Sequence, residues 1–115
     1  MEIRIVREPL PLKDIADTAG RQFGDMVKAV VDVGRGLLAL GGELHADAEA
    51  ALLDDGSRQS DLWGINLYPK NAPGEFVEFD SMINIRPSQG NRSRGVDDPA
   101  RRRAVLEVVG KLILP

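Results

Sequence analysis

The feature that most constrains the fold is a pair of extended runs, residues 62–68 and 76–86, separated by the turn-rich segment PKNAPGE. The proline, glycine and asparagine of that segment favour a reversal of the chain, so the two runs are predicted to form an antiparallel hairpin. Odd positions of both runs then share one apolar face, because successive strand residues point to opposite sides. This predicted core face carries Trp63, Ile65, Leu67, Val77, Phe79, Ile83 and Ile85.

The opposite face of the hairpin is predicted to be polar, and a slip of one residue in the pairing would bury its carboxylates. Glu78 and Asp80 lie two residues apart on it, so they would be neighbours that can act as general acid and base. With Asn66 and Asn84 they could also hold a hard divalent cation. The alternative is that these carboxylates only solvate the sheet, with Tyr68 and Arg86 as structural partners. We expect no metal site.

The rest of the chain alternates between strand and helix patterns. Strands are predicted at residues 2–6, 26–33 and 37–40, with helices at 12–24, at 43–56 and from Asp98-Pro99 onward. The order β-α-β-β-α-β-β-α has hairpins in place of regular β-α alternation, which is typical of an α+β fold. We therefore predict a single domain over residues 1–115, with a largely antiparallel sheet and helices packed mainly on one face.

Composition narrows the function classes. The chain is 43% hydrophobic and 29% charged with a formal charge of −3, which is ordinary for a globular protein and argues against bulk binding to nucleic acid or anionic membrane. Absence of cysteine excludes disulfides and zinc–thiolate sites and fits a reducing, cytoplasmic location. No signal peptide or membrane span is expected.

The segment SQGNRSRG, within residues 87–95, is predicted to be a loop because it contains no hydrophobic residue. Guanidinium groups, amides and glycine-exposed backbone N–H groups suit a phosphate or carboxylate, and a helix N-terminus follows directly. The alternative is local salt bridging of the arginines by Asp97 and Asp98. The predicted ligand-binding residues are Asn84, Arg86, Gln89, Asn91, Arg92, Arg94 and Arg101.

The only histidine lies in the pattern Glu43-x-His45-x-Asp47. Residues two apart on a helix point in different directions, so this pattern does not predict three ligands of one metal ion. A capping or hydrogen-bonding role for His45 is favoured.

Two blocks, LALGGELHADAEAALLDDGSRQSDLWGINLYP and EFDSMINIRPSQGNRSRGVDDP, together cover nearly half of the sequence. Through these blocks the chain resembles a family of small uncharacterised prokaryotic proteins that is classed as a domain of unknown function. The resemblance implies a prokaryotic, cytoplasmic protein, and it implies no reaction, cofactor or partner.

These observations favour a small binding module for an anionic small molecule, with the site at residues 86–101 and no cofactor. The first alternative is an interaction protein that forms a homodimer through the hairpin edge or its polar face. The second is a carboxylate- or metal-dependent hydrolase that uses Glu78 and Asp80. Nucleic acid and membrane partners are not expected.

Overall fold

The fold is built on a five-stranded sheet in the computed structural model, which describes residues 2–115. The strands are β1 (Ile3–Val6), β2 (Leu10–Pro11), β3 (Val27–Asp32), β4 (Leu37–Gly41), β5 (Leu62–Leu67), β6 (Val77–Glu78) and β7 (Ile113–Leu114). The helices are α1 (Leu12–Arg21), α2 (His45–Asp54) and α3 (Pro99–Leu112). Short 3-10 turns occupy Gln59–Asp61, Pro73–Glu75, Met82–Asn84 and Pro87–Gln89.

The main sheet has the strand order β1-β4-β3-β5-β6, and every pairing in it is antiparallel. The central pair is β3 with β5, where Val27 stands opposite Leu67 and Asp32 opposite Leu62. A separate two-residue parallel ladder joins β2 to β7. The predicted α+β class and largely antiparallel sheet are therefore confirmed, with two short strands added to the predicted order.

Two hydrophobic clusters cover the two faces of the sheet. On one face α1 and α3 pack over β3, β4 and β5, and the cluster includes the fully buried Trp63, Ile65 and Leu67. On the other face α2 places Ala48 and Leu52 against a smaller cluster from β3, β4 and β5. Two of the three helices share one face, as predicted. Helix α2 covers the other face, because the strands present apolar residues on both of their surfaces.

The prediction of a second hairpin strand over residues 76–86 is wrong for most of that range. Only Val77–Glu78 pairs with β5, and the chain then leaves the sheet. It can then cross directly over β5 at Gly64, because glycine has no Cβ atom; a Cβ there would lie only 2.6 Å from Ser81 Cβ. Ile83 consequently packs with the α2-side cluster and Ile85 is 39% exposed, so neither shares the face of Trp63.

Aspartate side chains fix the starts of helices α2 and α3. Asp98 caps α3, since its Oδ1 accepts from Ala100 N at 2.9 Å and Pro99 is the first helical residue, as expected. Helix α2 begins only at His45, where Leu44 N donates to Asp47 Oδ2 at 3.1 Å. Leu44 lies outside the helix and is 60% exposed, so it is not part of the predicted apolar stripe.

Within residues 2–115, no helix combines the length and the apolar character that a membrane crossing requires.

Candidate functional site

The loop that the sequence singles out lies against the outer edge of β5, and we call residues 84–98 the polar loop. Asn84 at its start is fully buried. Its Oδ1 accepts from Gly64 N at 2.8 Å, and its Nδ2 donates to Gly64 O and to Arg94 O, each at 2.9 Å. The Asn84 amide therefore satisfies the backbone of β5 where a neighbouring strand would otherwise do so.

Asn91 fixes the middle of the polar loop and is also fully buried. Its Nδ2 donates to Asn84 O at 2.7 Å and to Gly95 O at 2.8 Å, while its Oδ1 accepts from Asp97 N at 2.8 Å. A buried amide that is satisfied on both ends by backbone groups stabilises one loop conformation and has little capacity left for a ligand.

Arg86 and Gln89 clamp the polar loop to the start of β5. Arg86 donates from Nη1 to Gln59 O at 2.6 Å and to Gln89 Oε1 at 3.0 Å, and from Nη2 to Leu62 O. Gln89 Nε2 donates to Ser60 O at 3.1 Å. Burial lowers the pKa of the Arg86 guanidinium; nearby Glu49 opposes this shift, whereas Arg101 adds to it.

Arg92 and Arg101 project from the polar loop and from the first turn of α3. Arg92 is exposed, whereas the guanidinium carbon of Arg101 lies 4.5 Å from the centre of the Trp63 ring, where Arg86 also lies at 4.0 Å. Among residues 2–115 neither Arg92 nor Arg101 has a carboxylate oxygen within 4.0 Å. The predicted neutralisation of the arginines by Asp97 and Asp98 does not form as ion pairs.

The two aspartates instead serve the backbone. Asp97 accepts from Ser93 Oγ at 2.5 Å and from Arg92 N at 3.1 Å, and Asp98 caps α3. The hydrogen bond from Ser93 Oγ is the main cause that lowers the pKa of Asp97, and the bond from Arg92 N adds to it.

Arg94 differs from the other predicted residues because it turns away from the polar loop. Its Nε forms an ion pair with Asp80 Oδ1 at 2.6 Å, and both side chains are about half exposed. This pair forms part of the wall of an open cleft of about 620 Å³ between β5, β6 and the start of α2. The lining residues are Met26, Lys28, Leu44, His45, Ala46, Asn66, Tyr68, Glu78, Asp80, Ser81, Met82, Ile83 and Arg94.

The floor of the cleft is a hydrogen-bonded group on β5 and β6. Asn66 Nδ2 donates to Glu78 Oε1 at 2.8 Å, and the Tyr68 hydroxyl donates to the same oxygen at 3.2 Å. Burial, followed by the charge of Glu78, raises the pKa of Tyr68. Asn66 is only 6% exposed, and its Oδ1 has no hydrogen-bond partner among residues 2–115. A buried carbonyl oxygen without a donor is costly, so this position favours a ligand donor or a water.

His45, the first residue of α2, forms part of the cleft wall and is 8% exposed. Its Nε2 lies 2.8 Å from Ile65 O. Because a carbonyl oxygen only accepts, the Nε2 nitrogen carries the hydrogen and Nδ1 of the neutral ring is left as an acceptor. Burial is the main cause that lowers the pKa of His45 from its usual value, and the charge of Lys28 adds to it, although the hydrogen bond to Ile65 O and the side chain of Asn66 oppose the shift. The neutral ring is therefore favoured in the fold. The hydrogen-bonding role predicted for His45 is confirmed.

The rim of the cleft is apolar. Leu44 and Met82 line it and are 60% and 65% exposed. Apolar side chains with a few placed polar groups are the usual lining of a small-molecule site.

The cleft assembles four residues that the sequence had placed on the polar hairpin face, Asn66, Tyr68, Glu78 and Asp80. Asn84 and Arg86, predicted on that face as well, instead bond the edge of β5. Sequence reasoning missed Lys28 and Ser81 as wall residues and had no means of placing His45 beside Asn66, since that contact joins α2 to β5. Among residues 2–115, no group of three or more acidic, histidine or cysteine side chains is arranged to hold a metal ion.

Comparison with known proteins gives a family and no function. A family model described as protein of unknown function (DUF5674) matches residues 4–112. The chain matches no curated protein and no solved structure. Because the family model covers nearly the whole sequence, as the resemblance of its two sequence blocks predicted, the chain belongs to the DUF5674 family.

Proposed function

We propose that the protein is a binding module for a small molecule with an anionic group, and that the ligand lies in the cleft. The observation that carries the proposal is the guanidinium of Arg94 in the cleft wall, of which only Nε is bonded among residues 2–115. The two Nη groups of Arg94 thus remain available to a carboxylate or phosphate.

Positive charge in the wall supports the anionic group. Lys28 and Arg94 both line the cleft, and α2 begins there with His45 and Ala46. The positive end of a helix dipole and its free N–H groups favour an anion. Lys28 and Arg94 thus place two cations in a cleft whose lining also contains the carboxylates of Glu78 and Asp80.

The position differs from that predicted for the site. Binding of an anion by Arg86, Gln89, Asn91, Arg92 and Arg101, with Asn84, stays a prediction. Asn84, Arg86, Gln89 and Asn91 already bond backbone or neighbouring groups of the fold. A ligand on those donors would have to break bonds that hold the polar loop, whereas a ligand on Arg94 would not.

The test is titration of the ¹⁵N-labelled protein with acetate and then with inorganic phosphate, followed by amide chemical shifts. Saturable shifts are expected at cleft residues such as Ala46, Asn66 and Ser81. Arg94→Gln should weaken binding by about tenfold or more, because it removes a charge-assisted hydrogen bond. Arg92→Gln is the matched control, since it removes an exposed arginine two residues away and should leave the affinity unchanged. Equal loss in both variants, or no saturable shift, would contradict the proposal.

A homodimer is the second candidate, and the exposed Leu44 and Met82 on the rim favour it. A second copy laid over the cleft would bury both side chains. Sedimentation equilibrium tests this directly: a mass that doubles with concentration, and returns to the monomer value in Met82→Ser, is expected of a dimer through this surface. A monomer mass at all concentrations would exclude it.

A further inference from the structure

We infer that the ligand of the cleft is a small zwitterion, with a protonated amine a few bonds from its carboxylate or phosphate. This inference rests on the proposed function and adds the second charged group of the ligand. It follows from the acceptors of the cleft floor, which an anion cannot complement because it brings no donor.

The floor and the wall of the cleft offer four acceptors. Three of them are Asn66 Oδ1, Glu78 Oε2 and Asp80 Oδ2, none of which has a hydrogen-bond donor among residues 2–115. The fourth acceptor, His45 Nδ1, stands in the wall beside them, and Asn66 Oδ1 is the buried one of the three on the floor. An ammonium group has three donors and no acceptor, so it complements such a set. An anion placed on the same floor would face acceptors only and would be repelled.

Charge distinguishes the two carboxylates. Asp80 is neutralised by Arg94 at 2.6 Å, whereas Glu78 has no cationic nitrogen within 4.0 Å among residues 2–115. Asn66 and the Tyr68 hydroxyl both donate to Glu78 Oε1. They hold the carboxylate in one orientation and leave Oε2 free, which is the arrangement expected for a group that receives a cation.

The contacts also limit the size of the ligand. Asn66 Nδ2 reaches Glu78 Oε1 at 2.8 Å and Asp80 O at 3.2 Å, and the Asp80 side chain reaches Arg94 at 2.6 Å. The acceptor floor and the guanidinium are therefore linked through a single residue, Asp80. A ligand that meets both needs its amine and its acid separated by only a few bonds. The apolar rim of Leu44 and Met82 then lies beside any hydrocarbon substituent.

Matched probes separate the two groups of the ligand. Leucine carries amine, carboxylate and a hydrocarbon chain; 4-methylpentanoate lacks the amine, and isoamylamine lacks the carboxylate. O-phosphoethanolamine and ethyl phosphate form the corresponding pair for a phosphate. Affinities are measured by amide shift titration of the full chain, and the zwitterion of at least one pair is expected to bind about tenfold or more tightly than its amine-free analogue.

The variant that tests the amine position is Glu78→Gln, which removes the charge and keeps an oxygen to accept from Asn66 and Tyr68. The preference for the zwitterion should fall by about tenfold, with the affinity for the amine-free analogue equal or higher. Glu75→Gln, an exposed carboxylate outside the cleft, is the matched control and should leave the preference unchanged.

Each outcome decides between the two claims. If 4-methylpentanoate and ethyl phosphate bind as tightly as the zwitterions, or if Glu78→Gln leaves the preference unchanged, the inference is wrong and the proposed anion site stands. If no probe gives saturable shifts, the proposed function is wrong and the inference is overturned with it.

Discussion

The polar loop and the cleft have similar compositions and opposite uses of their polar groups. In the polar loop, the amides of Asn84 and Asn91 are bonded on both ends to backbone atoms of the fold. In the cleft, Asn66 Oδ1 has no donor among residues 2–115 and the Glu78 carboxylate has no cation there. Polar residues in an unusual segment thus stabilise the structure in one region and remain available to a ligand in the other. The partners of each polar atom decide which of the two uses applies.

The largest expected effect is on the stability of the polar loop. Asn84→Ala leaves Gly64 N, Gly64 O and Arg94 O without their present partner, and we expect it to lower the free energy of unfolding by about 3 kcal/mol. Urea denaturation of the variant measures this. Asn71→Ala, an exposed asparagine with one hydrogen bond to Glu75 O, is the control and should change stability by less than about 0.5 kcal/mol. Equal losses in the free energy of unfolding of the two variants would contradict the structural role of Asn84.

A smaller loss is expected when the clamp of the polar loop is loosened. Arg86→Lys keeps the charge but cannot reach Gln59 O, Gln89 Oε1 and Leu62 O at once, so a loss of about 2 kcal/mol in the free energy of unfolding is expected. Arg92→Lys should be silent in the same urea experiment because Arg92 is exposed. A silent Arg86→Lys would mean that its guanidinium is free to bind an anion after all.

The next effect is a pH dependence that arises in the cleft wall. Because burial lowers the pKa of His45 below 6.5, the folded state keeps the ring neutral while the unfolded chain takes up a proton. Stability from this group is complete above pH 6.5 and is lost as the pH falls from there to the folded pKa, at up to about 1.4 kcal/mol per pH unit. His45→Gln retains a donor for Ile65 O and should flatten this part of the stability profile. An unchanged profile would show that folding does not shift the pKa of His45, which would contradict the burial of a neutral ring.

The smallest expected effect is on the stability of variants in the cleft. Glu78→Gln and Arg94→Gln remove partly exposed charges, so each should change the free energy of unfolding by less than about 1 kcal/mol. Thermal unfolding measures this, and the same variants serve in the binding experiments. A loss comparable to that of Asn84→Ala would place the cleft residues among the structural ones.

The sequence predicts the parts of the fold that depend on local pattern. Alternation of apolar residues located β3 and β5, a continuous apolar run located β4, and Asp98-Pro99 located the start of α3, because each signal lies within a few residues. It did not predict that Asn84 replaces a strand partner of Gly64, since this depends on a side chain bonding backbone twenty residues away. For the same reason the sequence did not predict the contact of His45 with Ile65 O.

The candidate site was predicted in part. Period-two alternation brought Asn66, Glu78 and Asp80 to one face, which is the floor of the cleft. The choice of the polar loop as the ligand site came from its composition, and composition carries no information on where each donor is directed.

The most direct test of the central claim is the map of amide shifts when leucine and O-phosphoethanolamine are added in turn. We predict saturable shifts at Ala46, Asn66, Tyr68, Glu78 and Ser81, with the amides of Gln89 and Arg92 unmoved. Saturable shifts confined to residues 86–92 and Arg101, with the cleft silent, would contradict it and would return the ligand site to the polar loop.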